Sequence, residues 1–271
     1  MKLGQVVSAL GKIAPLALAA EWDNVGLLLE PLPNADVRRV LLTVDLTPTV
    51  LQEAQALHSD LIVAYHPPIF SGVKSLTQGS AMQRTVLRTL AAGIAVYSPH
   101  TALDAVSGGL NDWLADGLGS GERAALQPAL TTAKSKASKL TVQGQGRLVR
   151  LARPAKLSEL LARIKRHLDL RRLRVALDSE GRHKRISTVA LCAGAGGSVI
   201  GDAQADLLLT GEMRHHDVLA AVQRNVAVVL TEHSNSERGY LPVLARTLKS
   251  QLGKTVEIRV ARKDYEPLAI L

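Results

Sequence analysis

Residues 37–66, VRRVLLTVDLTPTVLQEAQALHSDLIVAYH, read as a strand, a helix and a second strand. VRRVLLTVDL (37–46) is a short apolar run of the length of a buried strand. Pro48 then suits the first turn of a helix, where its fixed φ is helical and its missing N–H has no intrahelical partner to lose. DLIVAYH (60–66) is a second apolar run of strand length. Strand–helix–strand alternation predicts a parallel or mixed sheet with crossover helices, so the segment places the chain in the α/β class.

The alternation extends in both directions. Upstream, Val6, Val7, Leu10 and Ile13 recur at helical spacing and predict the buried stripe of an amphipathic first helix. Downstream, SAMQRTVLRTLAAG (80–93) predicts a helix closed by Gly93, IAVYS (94–98) a strand, and GGLNDWLADGLG (108–119) another glycine-ended helix. Periodicity is lost over 119–138, GSGERAALQPALTTAKSKAS, which reads as a linker or insertion point. A second series follows, with LSELLARIKRHL as an amphipathic helix, KRISTVALCA, DLLLTGE and VAVVLTEH as strands, and ERGYLPVLARTLKSQL as the last helix. The expected organisation is two α/β lobes of similar design, 1–118 and 139–271, with mixed sheets. At 271 residues a single large domain is also open.

Composition narrows the function classes. Only 3% of residues are aromatic, which argues against a stacking platform for single-stranded nucleic acid. The lone Cys192 cannot form an internal disulfide, in keeping with a reducing compartment. The opening MKLGQVVSALGKIAPLALAAEW imitates a secretory signal, but Lys12 and Pro15 break its apolar run. No stretch reaches the roughly 18 apolar residues of a membrane span, and the expectation is a cytoplasmic protein without membrane partners. Positive charge is concentrated between Lys134 and Arg185, with 16 Lys and Arg against 4 Asp and Glu. That stretch is either an attractor for phosphates or a solvated helix face; no nucleic-acid motif accompanies it, so a nucleic-acid partner is not expected.

Chemistry-bearing residues gather where strands are expected to end. His233 and Glu237 in TEHSNSERGY are four apart, a spacing that would put imidazole and carboxylate on one helical face. His66 follows a strand and is stiffened by Pro67 and Pro68, and His100 and Asp104 lie in a loop after the next strand. Asp104 is the better candidate for direct metal contact, with His100 as its support or as a substrate contact; Asp104 as a cap for a helix beginning near Val106 is the alternative. Glu237 could bridge two ions. Histidine with carboxylate suits divalent zinc, iron, manganese or nickel, one or two ions per subunit. GAGGS (194–198) reads as a close turn or an anion cradle, and Glu212, His215 and His216 as possible substrate-site residues.

The ordered set EWDNVGLLLE (21–30), AYHPPIF (64–70), YSPHTALD (97–104), ALCAGAGGS (190–198), LLTGEMRHHD (208–217) and TEHSNSERGYLP (231–242) resembles the Nif-three-like family, also known as GTP cyclohydrolase 1 type 2 homologs, in its eukaryotic-type branch. The resemblance covers nearly the whole chain. It implies two α/β lobes enclosing a dinuclear metal cleft, with metal contact from His66, Asp104, His233 and Glu237, and assembly into a homohexamer. Many bacterial members have two adjacent histidines where this chain has Tyr65 and His66, and a neutral tyrosine is a much poorer ligand for a second ion. Asp23, Asn24 and Asp45 also match family motifs, as cleft or structural residues.

The implied activity is metal-dependent hydrolysis of a nucleotide, with ring opening of GTP as the named reaction, His100 or His215 transferring protons and basic residues receiving the triphosphate. The alternative is a non-catalytic metal-binding scaffold that binds a transcriptional regulator or other protein partner.

Overall fold

The structure, a computed structural model, describes residues 1–129, 143–178 and 185–269. Contacts group Met1–Leu103 with Tyr240–Tyr265 as a first unit, and Asp104–Gly239 with the residues from Glu266 on as a second. Among the described residues no helix is long and apolar enough to cross a membrane.

In the first unit α1 (Leu3–Ile13) precedes β1 (Gly26–Leu29), β2 (Arg39–Thr43), α2 (Pro48–Ala56), β3 (Leu61–Ala64), α3 (Ala81–Ala91), β4 (Ala95–Ser98) and the start of α4 (His100–Ala105). The strand–helix–strand reading of 37–66 therefore holds, with Pro48 in the first turn of α2 and the Thr47 hydroxyl accepting from Val50 N. β2, β3 and β4 run parallel, and β1 closes one edge antiparallel to β4. Leu41, Ile62 and Val96 of these strands pack with Val50 and Val86 of the helices in one core. The buried stripe of α1 is Leu3, Val6, Ala9 and Leu10; Val7 and Ile13, expected in it, are only half-buried because the helix is rotated toward its small Ala9 face.

The second unit carries α5 (Leu110–Asp116), β5 (Gly121–Ala124), β6 (Gln127–Pro128), β7 (Gly144–Gln145), β8 (Arg147–Lys156), α6 (Leu157–Leu168), β9 (Arg174–Ala176), β10 (Arg185–Cys192), α7 (Gly197–Ile200), β11 (Leu207–Thr210), α8 (His215–Gln223) and β12 (Ala227–Leu230). β10, β11 and β12 are parallel at the centre of a mixed sheet in the order β5-β8-β10-β11-β12-β9. Of the expected linker, residues 121–124 form β5 against β8 and 127–128 pair with β7, while 130–138 lie outside the described residues. Backbone pairing there needs no apolar periodicity, which is why the sequence pattern is silent.

The chain then returns to the first unit. α9 (Leu241–Leu252) buries Leu241, Leu244, Leu248 and Leu252 at helical spacing and packs on α1, and β13 (Glu257–Val260) extends the first sheet parallel to β2. The C-terminal lobe expected at 139–271 thus gives its last helix and strand to the N-terminal sheet. Each unit is nonetheless a mixed α/β sheet built on parallel strands, four in the first unit and three in the second, the similar design expected.

α6 presents Leu157, Leu160, Ile164 and Leu168 to the core and carries in its last turn His167, whose ring lies 4.5 Å from that of Trp113. The Nε2 atom is buried without a hydrogen-bond partner. Burial pulls the His167 pKa below its ordinary value, against weaker opposing effects of the Trp113 backbone and Asp116. Below about pH 6.5 the unfolded chain takes up a proton that the folded chain refuses, so stability is expected to fall as pH drops through that value and to level off below the folded pKa. Urea unfolding at stepped pH measures the slope; His167→Leu should flatten it, and an unchanged slope would refute the assignment.

Candidate functional site

Three histidines stand just beyond parallel strands, and each has a carboxylate on Nδ1. The register of β2 with β3 pairs Thr43 with Ala64, so two residues further on Asp45 stands beside His66, with Oδ1 and Nδ1 2.9 Å apart. Beyond β4, His100 Nδ1 lies 2.7 Å from Asp23 Oδ1. In the second unit, Glu212 follows β11 and His233 follows β12, and Oε1 meets Nδ1 at 2.8 Å. A neutral imidazole whose Nδ1 proton is taken by a carboxylate presents its Nε2 lone pair, and the ring orientation is fixed as well.

Asp23 organises the first-unit group. Its second oxygen accepts from the Thr101 amide at 3.1 Å and from the Thr101 hydroxyl. Burial acts to raise the Asp23 carboxyl, but the hydrogen bonds from His100 and Thr101 hold it below the usual carboxylate range. The clamp supports an unusual backbone, since His100 has φ of +26° at the first position of α4. His100 and Asp104, expected in a loop, are therefore in a helical turn, and the next helix starts at Leu110 with Gly109 at its N-cap rather than near Val106.

In the second unit His233 Nε2 lies 3.4 Å from Glu237 Oε1. The stretch is not the α-helix that the spacing suggested: 3-10 turns at Ser234–Ser236 and Arg238–Tyr240 carry it, and α9 begins only at Leu241. The preceding Glu232, at φ of +68°, is held by Arg174 at 2.6 Å. Glu237 and Asp104 are both buried, and both add to the burial that pushes the Cys192 thiol up, which leaves it a neutral thiol rather than a thiolate ligand. Asn111 links the two neighbourhoods, donating to Asp104 O at 3.2 Å and accepting from Ala193 N at 2.9 Å.

Gly194 is a glycine for two reasons. Its φ is +62°, and a Cβ there would lie 2.6 Å from Glu237 Oε1 and 3.1 Å from His233 Nε2. Its amide donates to Ser236 Oγ at 2.8 Å, and Gly196 N donates to Thr210 Oγ1 at 3.1 Å. The Gly194 and Gly196 amides are thus spent inside the protein, and the φ and close approach of Gly194 fit the close-turn reading. Beside this loop a cavity of about 700 Å³ is lined by Ser198, Asp202, Glu212, Arg214, Asp217 and Arg224 among others. Three carboxylates against two guanidiniums give it no net attraction for a triphosphate. His215 and His216 are exposed on α8 with rings 5.4 Å apart, and the residue of that stretch that reaches His233 is Glu212.

Asp45, Asp23 and Glu212 are the residues whose roles the sequence did not disclose. For Asp45 and Glu212 the signal was a carboxylate two residues past a strand, which acquires meaning only once the strand register is known, whereas Asp23 precedes β1 and carries no such signal.

Fold and site together define a class: two α/β units with carboxylate-held histidines at the carboxyl ends of their parallel strands. A family model described as Duf34/NIF3 (NGG1p interacting factor 3) matches residues 1–267, and the chain belongs to this family. The Protein NIF3 homolog of Schizosaccharomyces pombe is 44% identical over 261 residues, covering 94% of this chain and 92% of its own. NIF3-like protein 1 of Homo sapiens is 33% identical, covering 100% and 93%. NGG1-interacting factor 3 of Saccharomyces cerevisiae is 37% identical, covering 99% and 97%. Among solved structures, a Bacillus cereus protein related to NIF3 superimposes with a TM-score of 0.88 at 19% identity, covering 100% of this chain and 99% of that one, a likeness of fold.

Proposed function

We propose that this chain binds a divalent metal through His66, Asp104, His233 and Glu237 and hydrolyses a nucleotide, with ring opening of GTP as the reaction to test. The observation that carries the reading is the carboxylate on Nδ1 of His66 and of His233, at 2.9 and 2.8 Å. Metal-binding histidines almost always donate their other ring N–H to a carboxylate, a backbone carbonyl or water, and here the partner is a carboxylate.

The donor types of His66, His233 and Glu237 suit a cation, and imidazole with carboxylate favours zinc, iron, manganese or nickel over calcium or magnesium. Gly194 supports the same reading, since it keeps the space against Glu237 and His233 clear of a Cβ. Such a cation supplies Lewis-acid activation for hydrolysis. The chain's own contribution is orientation and proton movement. Asp23 holds the Nδ1 proton of His100, leaving Nε2 as the atom that takes or gives a proton. Tyr65 is buried beside His66, with ring centroids 5.0 Å apart, and a phenol there is a weak ligand, which favours one tightly held ion over two.

Metal-loaded protein incubated with GTP is expected to release formate and change the purine absorbance. Absence of both, with the metal retained, would refute the hydrolase reading. That result would favour a metal-binding scaffold for a protein partner, a reading supported by the name of the Saccharomyces cerevisiae relative, NGG1-interacting factor 3. We further infer a cytoplasmic homo-oligomer, a hexamer by family resemblance; light scattering at the mass of one chain would contradict it.

A further inference from the structure

The chain has one phenylalanine and two tryptophans. Phe70 is 52% exposed and Trp22 is 63% exposed, and their rings meet at 5.8 Å with a tilt of 46°. A protein so poor in aromatic residues places two of its largest rings in water, side by side, rather than in its cores.

What surrounds the pair is the histidine group of the first unit. His100 presents its ring edge-on to Trp22 at 6.0 Å and to Phe70 at 6.3 Å, and also to His66 at 5.4 Å and Tyr65 at 5.5 Å. The exposed rings are therefore continuous with the imidazoles to which the proposed function assigns metal binding and proton transfer.

Both rings stand on fixed backbone despite their exposure. The turn carrying Trp22 is tied by Ala20 N donating to Thr101 Oγ1 at 3.0 Å and by the hydrogen bonds of Asp23 to His100 and Thr101. The loop carrying Phe70 follows Pro67 and Pro68, and Asn24 Nδ2 donates to Ile69 O at 2.6 Å. Asn24 thus joins the two segments that bear the rings, which gives the WDN motif a physical purpose.

We infer that Trp22 and Phe70 form a stacking platform for a single planar heteroaromatic ring, a purine base, and so supply the base recognition of the proposed nucleotide site, on which this inference rests. Aromatic faces bind bases through their π-surfaces without reading hydrogen-bond edges. Two rings suffice for one base and not for a strand, which agrees with the low aromatic content. A second copy of the chain would bury these rings over a much wider surface, on the order of 800 Å² per partner, whereas the continuity of the pair with His100 and His66 favours a small ring brought to the reacting groups.

The test uses metal-loaded full-length protein, guanosine 5′-monophosphate and ribose 5-phosphate, and the variants Trp22→Leu and Phe70→Leu, with thermal melting and metal content confirming that each variant folds and loads. Calorimetry should show the nucleotide binding wild type, each variant weakening it by about ten-fold or more, and ribose 5-phosphate affected by neither. Tryptophan fluorescence should be quenched by the nucleotide in wild type and not in Trp22→Leu. Three results would overturn the platform: no nucleotide binding to wild type, equal binding to wild type and both variants, or dissociation of an oligomer by either variant. Weakened nucleotide binding in the variants without formate release from GTP by wild type would keep the platform and remove the hydrolase. Formate release with unchanged KM in both variants would do the reverse.

Discussion

Arg147→Met is expected to cost about 3–5 kcal/mol of stability, the range for stranding one partner of a buried ion pair. Arg147 has no exposed surface, although it lies in the basic stretch that the sequence offered as a solvated face. Its Nε and Nη2 each reach one oxygen of Asp112 at 3.0 Å. Nη1 donates to Gly144 O at 2.7 Å and Gly146 O at 2.8 Å, and Nη2 also to Val106 O at 3.2 Å. With a longer contact from Nη2 to Ala105 O at 3.5 Å, all three guanidinium nitrogens are engaged, an arrangement that only the planar fork provides. Methionine would fill the volume and leave four carbonyls without these donors, and a buried carboxylate whose remaining guanidinium, that of Arg123, lies 3.8 Å away. Arg147→Lys should also destabilise, because three donors on one nitrogen cannot span the same acceptors. Adding Asp112→Asn to Arg147→Met should recover part of the loss by removing the stranded charge, while the new amide keeps an acceptor for Gly108 N, which Asp112 Oδ2 now bonds at 2.8 Å. Urea unfolding measures all four proteins; a loss under about 1 kcal/mol for the methionine variant would contradict the view of a charge held wholly inside the fold.

Much of the architecture was legible because burial writes itself into composition. β2, β3, β4, β10, β11 and β12 are flanked or covered on both faces, so their sequences are nearly unbroken apolar runs, and α6 carries a clean helical stripe. Long-range pairing leaves no such mark. β13 lies beside β2 across more than two hundred residues, and β5 pairs with β8 although GERA has no apolar alternation. The candidate site divides in the same way. His66, His100, His233 and Glu237 could be singled out by residue type and by their position after strands. Asp23, Asp45 and Glu212 read only as cleft or substrate-site residues and not as partners of the histidines, because a carboxylate becomes the holder of a particular imidazole through strand register and through the Asp23 clamp, which joins residues 77 positions apart. Spacing also misled: His233 and Glu237 meet, but through 3-10 turns rather than one helical face.

The metal reading makes a graded prediction across three kinds of substitution. His233→Ala and Glu237→Gln remove proposed donors, and protein purified from either should carry metal near background by elemental analysis, a loss of more than about 100-fold in affinity given what loss of a supporting hydrogen bond alone costs. Glu212→Gln and Asp45→Asn leave every proposed donor in place. A carboxamide can still accept from Nδ1 as a neutral group, so ring orientation partly survives while the basicity lent to Nε2 is lost; affinity should fall by about 10–100-fold, with full loading restored at higher metal concentration. Gly194→Ala changes no donor and no orienting group, yet its Cβ would lie 2.6 Å from Glu237 Oε1. The carboxylate or the loop must move, and loading should fall further than in Glu212→Gln. A purely structural role for His233 and Glu237 makes a different forecast: thermal stability would fall with each change while metal content followed no order. Competition with a chromogenic chelator gives the affinities, and circular dichroism reports the fold. Wild-type affinity in Glu212→Gln together with full metal content in Glu237→Gln would exclude the second unit from the metal centre.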